Sequence, residues 1–219
     1  MFRRVPVLLA LAGLLAVAPL AHANTVRLTD ITTGDFATNA PGGGGPFLAT
    51  TTGTLLGAQS FVTFCLEINE TFNWNTNYNF ALSDAAVLGG AGGGNPDPVS
   101  DATKWIYYQV ISGGYAAFAS VFGTGSGVGA RVQQAIWYLE EETTSITAEA
   151  LALANFALTQ DWTSLFNAGH RVYAMNLTTS TGARVQDQLA YVRVPEPGSL
   201  LILGLGFLGA GAVLRRRHA

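Results

Sequence analysis

A single cysteine, Cys65, serves all 219 residues. No disulfide can close within such a chain, so a buried apolar core must hold the fold. The segment between the two apolar ends, residues 24–194, is long enough to bury one without covalent staples. Only 11% of residues are charged, and the chain carries 26 glycines. The sulfur of Cys65 therefore has three fates open to it: no partner, a second chain, or a group other than sulfur.

Both ends read as addresses. MFRRVPVLLALAGLLAVAPLAHA has a basic start at Arg3 and Arg4, an apolar run from Val5 to Leu20, and the small-x-small site Ala21-His22-Ala23. This predicts a secretory signal peptide, residues 1–23, removed by signal peptidase. At the other end Gly198 to Leu214 is 17 residues without a charge, the short end of a membrane-spanning helix. Arg215, Arg216 and Arg217 follow at once and favour the cytoplasmic side. The expectation is a transmembrane helix over 198–214, with residues 24–194 outside the cytoplasm.

Pro195-Glu196-Pro197, a short Gly/Leu-rich span and a terminal arginine cluster together resemble the PEP-CTERM sorting signal, over residues 195–219. The resemblance implies a Gram-negative exporter of exopolysaccharide. It also implies cutting near the tripeptide by an exosortase, a membrane-embedded cysteine transpeptidase. The chain would be anchored in the inner membrane before processing and reach the cell surface or matrix afterwards.

Residues 24–194 hold six cations against thirteen anions, a net charge of −7. Nucleic acid requires clustered Lys/Arg to displace counterions, and no such cluster exists here. Nucleic-acid binding is excluded.

Strands are expected at 25–33, 47–56 and 60–68, the last two joined by a turn at Gly57. In 60–68, Phe61, Thr63, Cys65 and Glu67 share one face, and Val62, Phe64, Leu66 and Ile68 form an apolar row on the other. Cys65 is thus off the apolar row. PGGGGP (41–46) and GGAGGGNPDP (89–98) read as flexible loops. TFNWNTNYNF (71–80) alternates asparagine with Phe72, Trp74, Tyr78 and Phe80; its rings either pack the sheet or stack on a sugar. Helices are expected at 101–112, with Asp101 as N-cap, at 127–142 and at 146–162. Strands return at 171–179 and 188–194. The fold class predicted is α+β: a β-barrel or sandwich-like sheet with an inserted helical lobe, plus the C-terminal transmembrane helix.

Catalytic readings are thin. Between the two ends only His170 remains among the histidines. No His/Cys cluster for zinc exists, no Gly-x-Ser-x-Gly surrounds a serine, and the NPDPVSD oxygens match no defined calcium loop. No cofactor, no metal and no enzyme activity are expected; a Cys65–His170 thiol hydrolase is the outlying alternative.

The strand reading Phe64-Cys65 and the later helix Val132-Gln133-Gln134-Ala135-Ile136-Trp137 resemble the thioester domains of bacterial surface adhesins, with a Tyr/Phe-Cys strand and a Thr-Gln-x-Ala-Ile-Trp helix. Valine stands where that pattern has threonine. KWIYYQVISGGY resembles the family's preceding helix, so the resemblance covers residues 60–142. It implies that the Cys65 sulfur and the Gln133 side-chain carbonyl condense with loss of ammonia, Gln134 being the donor if the register is shifted by one. It also implies that Phe64, Ala135, Ile136 and Trp137 support and shield the bond. A thioester is a stronger electrophile than an amide, because a thiolate leaves more readily than an amine. An amine or hydroxyl on a surface or matrix partner would then be captured covalently. The sole lysine, Lys104, suits a chain that carries an activated acyl group. The alternative function is a non-reactive exopolysaccharide or biofilm module that contacts glycan.

Overall fold

The computed structural model describes residues 23–194. Most of the signal segment, the Pro195–Pro197 tripeptide, the 198–214 span and Arg215–Arg217 lie outside them. Among the described residues no helix is long and apolar enough to cross a membrane.

Six strands form one antiparallel sheet in the order β3-β2-β1-β4-β7-β8: β1 Thr25–Asp30, β2 Phe47–Thr52, β3 Gln59–Thr63, β4 Asn77–Ser83, β7 His170–Thr178 and β8 Gln188–Arg193. A two-residue pair, β5 Ala85–Ala86 and β6 Asp97–Pro98, stands apart. The sheet curls until its edges nearly meet. Just past β3, Leu66 N donates to Asp187 O and Leu189 N to Phe64 O at 3.1 Å each, with Cys65 bridged to Gln188. Of the barrel or sandwich expected, the barrel-like form is found.

Alternation along the strands sorts the side chains into two cores. Val26, Leu28, Ala49, Tyr78, Phe80, Met175, Leu177 and Ala190 fill the inside of the curled sheet. Register puts them opposite one another: Leu28 faces Ala49, Val26 faces Tyr78, and Phe80 faces Leu177. Phe64, Leu66, Val172, Ala174 and Leu189 point the other way, into the core of the helical lobe. Of the apolar row expected in 60–68, Val62, Phe64 and Leu66 meet the helices, while Ile68 packs beside Cys65 and Trp137; the pairing of β3 with β2 ends at Thr63.

The lobe is inserted between β6 and β7. It comprises α1 Asp101–Ser112, a 3₁₀ turn Gly114–Phe118, α2 Ala119–Phe122, α3 Gly127–Leu139, α4 Ala148–Ala157 and α5 Trp162–Asn167. Ser100, not Asp101, caps α1. Its extended backbone lets the hydroxyl accept from Thr103 N, while Asp101 falls in the first turn and pairs with Lys104 at 3.2 Å. The expected helix 146–162 is shorter, α4 ending at Ala157, and α5 begins only at Trp162, where Asp161 caps it by accepting from Ser164 N. Val132, Ala135 and Ile136 of α3 are fully buried in the lobe, as their spacing requires.

Candidate functional site

The site lies where α3 meets the seam of the sheet. The Gln133 side chain is fully buried and bonds the main chain of Cys65 at both ends. Its Oε1 accepts from Cys65 N at 2.8 Å, and its Nε2 donates to Cys65 O at 2.9 Å. The amide thereby acts as a short extra strand beside Cys65, at the point where β3 has stopped pairing. One helical turn on, Trp137 joins Cys65, Ala40 and Phe47 in a small apolar cluster. The two residues 68 positions apart are therefore brought together, with the carboxamide lying against the residue that carries the thiol.

The sulfur is enclosed. Cys65 is fully buried and free of any disulfide. Gln188 Nε2 donates to Sγ at 3.6 Å. Burial dominates this contact and pushes the thiol up to about 12, so sulfur rests as the neutral thiol.

The cover is the segment PGGGGP, read from sequence as a flexible loop. Gly44 lies so close to the Trp137 ring that a Cβ there would overlap it, and a Cβ on Gly45 would stand 3.1 Å from Gln133 Oε1. Glycine is needed at these two positions because backbone must lie directly on the indole and the amide. The second glycine loop is likewise anchored: Glu142 accepts from Ala91 N and Gly92 N, and from Ile68 N at 2.8 Å.

The other expected site residues divide. Phe64 is buried against Tyr107 and Phe36 on the lobe side, so it backs the site and does not cover Cys65. Ala135 and Ile136 hold α3 in the lobe. Gln134 is turned to the chain ahead of α4 and accepts from Thr147 N at 2.9 Å; it takes no part at the sulfur. His170 is engaged elsewhere, its Nδ1 with the Tyr191 hydroxyl at 2.7 Å and its Nε2 with that of Tyr108 at 3.4 Å. Cys65 and His170 do not form a pair. In segment 71–80, Tyr78 and Phe80 pack inside the sheet. Phe72 and Trp74 meet Phe47 edge-on at centroid separations of 5.0 and 4.9 Å, leaving Trp74 45% exposed. Among the described residues no group of three or more His, Cys, Asp or Glu is placed to hold a metal.

Sequence reasoning missed three features. Gln188 faces the sulfur from across the seam; its only signal was a polar residue opening a strand whose next four residues are Leu, Ala, Tyr and Val. The glycine loop's close packing was hidden, because glycine runs look alike whether loose or tight. The third is a pair of buried carboxyls beside the site. Asp187 accepts from Val87 N, Leu177 N and Asn176 Nδ2 at 2.8–3.0 Å. Glu67 accepts from Asp187 N at 3.1 Å and leaves its Oε1 without a partner. Burial, then the charge of Asp187, pushes Glu67 up to about 9.

Comparison with known proteins gives two findings. Residues 193–217 match the model of the PEP-CTERM protein-sorting motif, which marks an exported protein with a C-terminal sorting signal. The fold is similar to that of the N-terminal thioester domain of a surface protein from Clostridium perfringens, solved as a cysteine-to-alanine mutant. The likeness has a TM-score of 0.50 at 10% identity, covering 78% of this chain and 99% of that one. No curated protein matches the chain.

Proposed function

We propose that this exported chain carries an internal thioester between Cys65 and Gln133 and uses it to couple itself covalently to a surface or matrix partner. The observation that carries this reading is the two-ended bond between the Gln133 amide and the Cys65 main chain, with both residues fully buried. The likeness of fold to a thioester domain supports it. In the reaction Sγ attacks the Gln133 acyl carbon, the carbon–nitrogen bond breaks, and the thiol proton leaves with the nitrogen as ammonia. The enclosing loop and Trp137 keep water from the acyl group until a partner nucleophile displaces the sulfur. The chain is consumed in this act and does not turn over as an enzyme.

Both apolar cores close within residues 24–194, so this segment serves for the test. Its intact mass is expected to be lighter than the sequence by one ammonia, and methylamine should add to it stoichiometrically. Cys65→Ala should show neither change. An unmodified mass, with Cys65 open to a thiol reagent in the unfolded chain, would refute the thioester.

We also propose that an exosortase reads Pro195-Glu196-Pro197 in a Gram-negative host and cuts there while the 198–214 span sits in the inner membrane. Support comes from the motif match and the order tripeptide, apolar span, arginines. Replacing all three residues by alanine should leave the full-length chain uncut in the membrane fraction. Normal processing of that variant would remove this assignment.

A further inference from the structure

The Gln188 carboxamide is set against the sulfur and only half of it is used. Gln188 is fully buried and stands opposite Cys65 across the seam of the sheet. Its Nε2 donates to Sγ at 3.6 Å, while its Oε1 has no hydrogen-bond partner. A buried amide oxygen without a donor is rare in folded proteins and calls for a reason. The donor on the sulfur calls for one too. A neutral thiol is a weak acceptor, whereas N–H donors aimed at sulfur bind a thiolate far better.

Resting on the thioester reading, we propose that Gln188 is a catalytic residue of that chemistry: its Nε2–H holds the sulfur as the carbon–sulfur bond breaks, and its free Oε1 receives an N–H of the nitrogen that leaves or enters the Gln133 acyl carbon. Forming the thioester joins Sγ to the acyl carbon, breaks the carbon–nitrogen bond and sends the thiol proton out with ammonia. Attack by a primary amine retraces that path. A nitrogen–carbon bond forms, the carbon–sulfur bond breaks, and one nitrogen proton ends on the sulfur. Departing and arriving nitrogen occupy the same place beside the sulfur, so one acceptor serves both. Gln188 neither gives nor takes the proton. It supplies a donor already set on the sulfur and an unused acceptor on the same amide, among residues that are fully buried.

The test compares the purified full chain with its Gln188→Met variant, which keeps an unbranched side chain of similar size and removes both polar ends. Methylamine addition, followed by intact mass, is expected to be about 10- to 100-fold slower, with the thermal midpoint unchanged or raised. A wild-type rate overturns the proposal, as does a rate loss that merely follows lost stability. If the wild type lacks the ammonia deficit, the thioester reading has failed. Gln188 is then judged on the free thiol. Its replacement by methionine should slow alkylation of Cys65 in the folded chain at fixed pH by about tenfold, and an unchanged rate overturns the role.

Discussion

Replacing Gln133 by alanine is expected to lower the unfolding free energy by about 3–5 kcal/mol, far beyond what a solvated helix glutamine would cost. The Cys65 N–H and C=O are both buried, and each has Gln133 as its partner. Removing the side chain strands a donor and an acceptor together, each at about 1–3 kcal/mol, and opens a cavity beneath Gly44 and Trp137. The comparison belongs in a Cys65→Ala background, where no cross-link can contribute. Urea unfolding should show the double variant well below the single one. Coincident midpoints would mean that the amide does not clamp the strand. The result isolates the part Gln133 plays in holding the seam from the proposed thioester chemistry.

Stability should fall by several kcal/mol as pH rises from about 5 to about 9, and Glu67→Gln should remove the largest single share of that slope. Glu67 is held up to about 9, by burial first and then by the charges of Asp187 and Glu70. Glu70 is held up to about 7 by burial and by Asp187 and Glu142, with Arg184 opposing. An acid raised in the folded state binds its proton more tightly there than in the unfolded chain. Its contribution is therefore complete below the ordinary carboxyl value near 4.5 and is lost as pH climbs through the folded value. His170 works in the opposite sense, since burial lowers it. The difference between wild type and Glu67→Gln isolates the carboxyl. Parallel pH profiles for the two proteins would show that Glu67 does not carry the effect.

Much of this architecture was legible in the chain. Period-two alternation placed Val62, Phe64 and Leu66 on one face, and that face meets the helices. Helical spacing put Gln133 and Trp137 on a stripe beside Val132 and Ile136, and that stripe meets Cys65. These readings succeeded because burial imposes a period and the period survives in sequence. Where contact is made by backbone, no such record exists. Gly44 touches Trp137 through main-chain atoms, so nothing in GGGG distinguishes a tight cover from a slack tether. Gln188 was invisible for a related reason: its partner lies 123 positions away across a seam that only the curl of the sheet creates. Asp101 misled because two adjacent residues were competent caps, and the one with extended backbone, Ser100, took the role.

The seam has a mechanical consequence. The strand that lies across from the sulfur, β8, ends at Arg193, and the sorting segment begins at that same residue. A pull on the C-terminal end of β8 meets β7 first, because the two strands are paired from His170–Arg193 down to Met175–Gln188 before the bridge to Cys65 is reached. The ladder thus stands as a buffer between the tail and the enclosed sulfur, and tension on that end is spread into the sheet before the buried residues feel it.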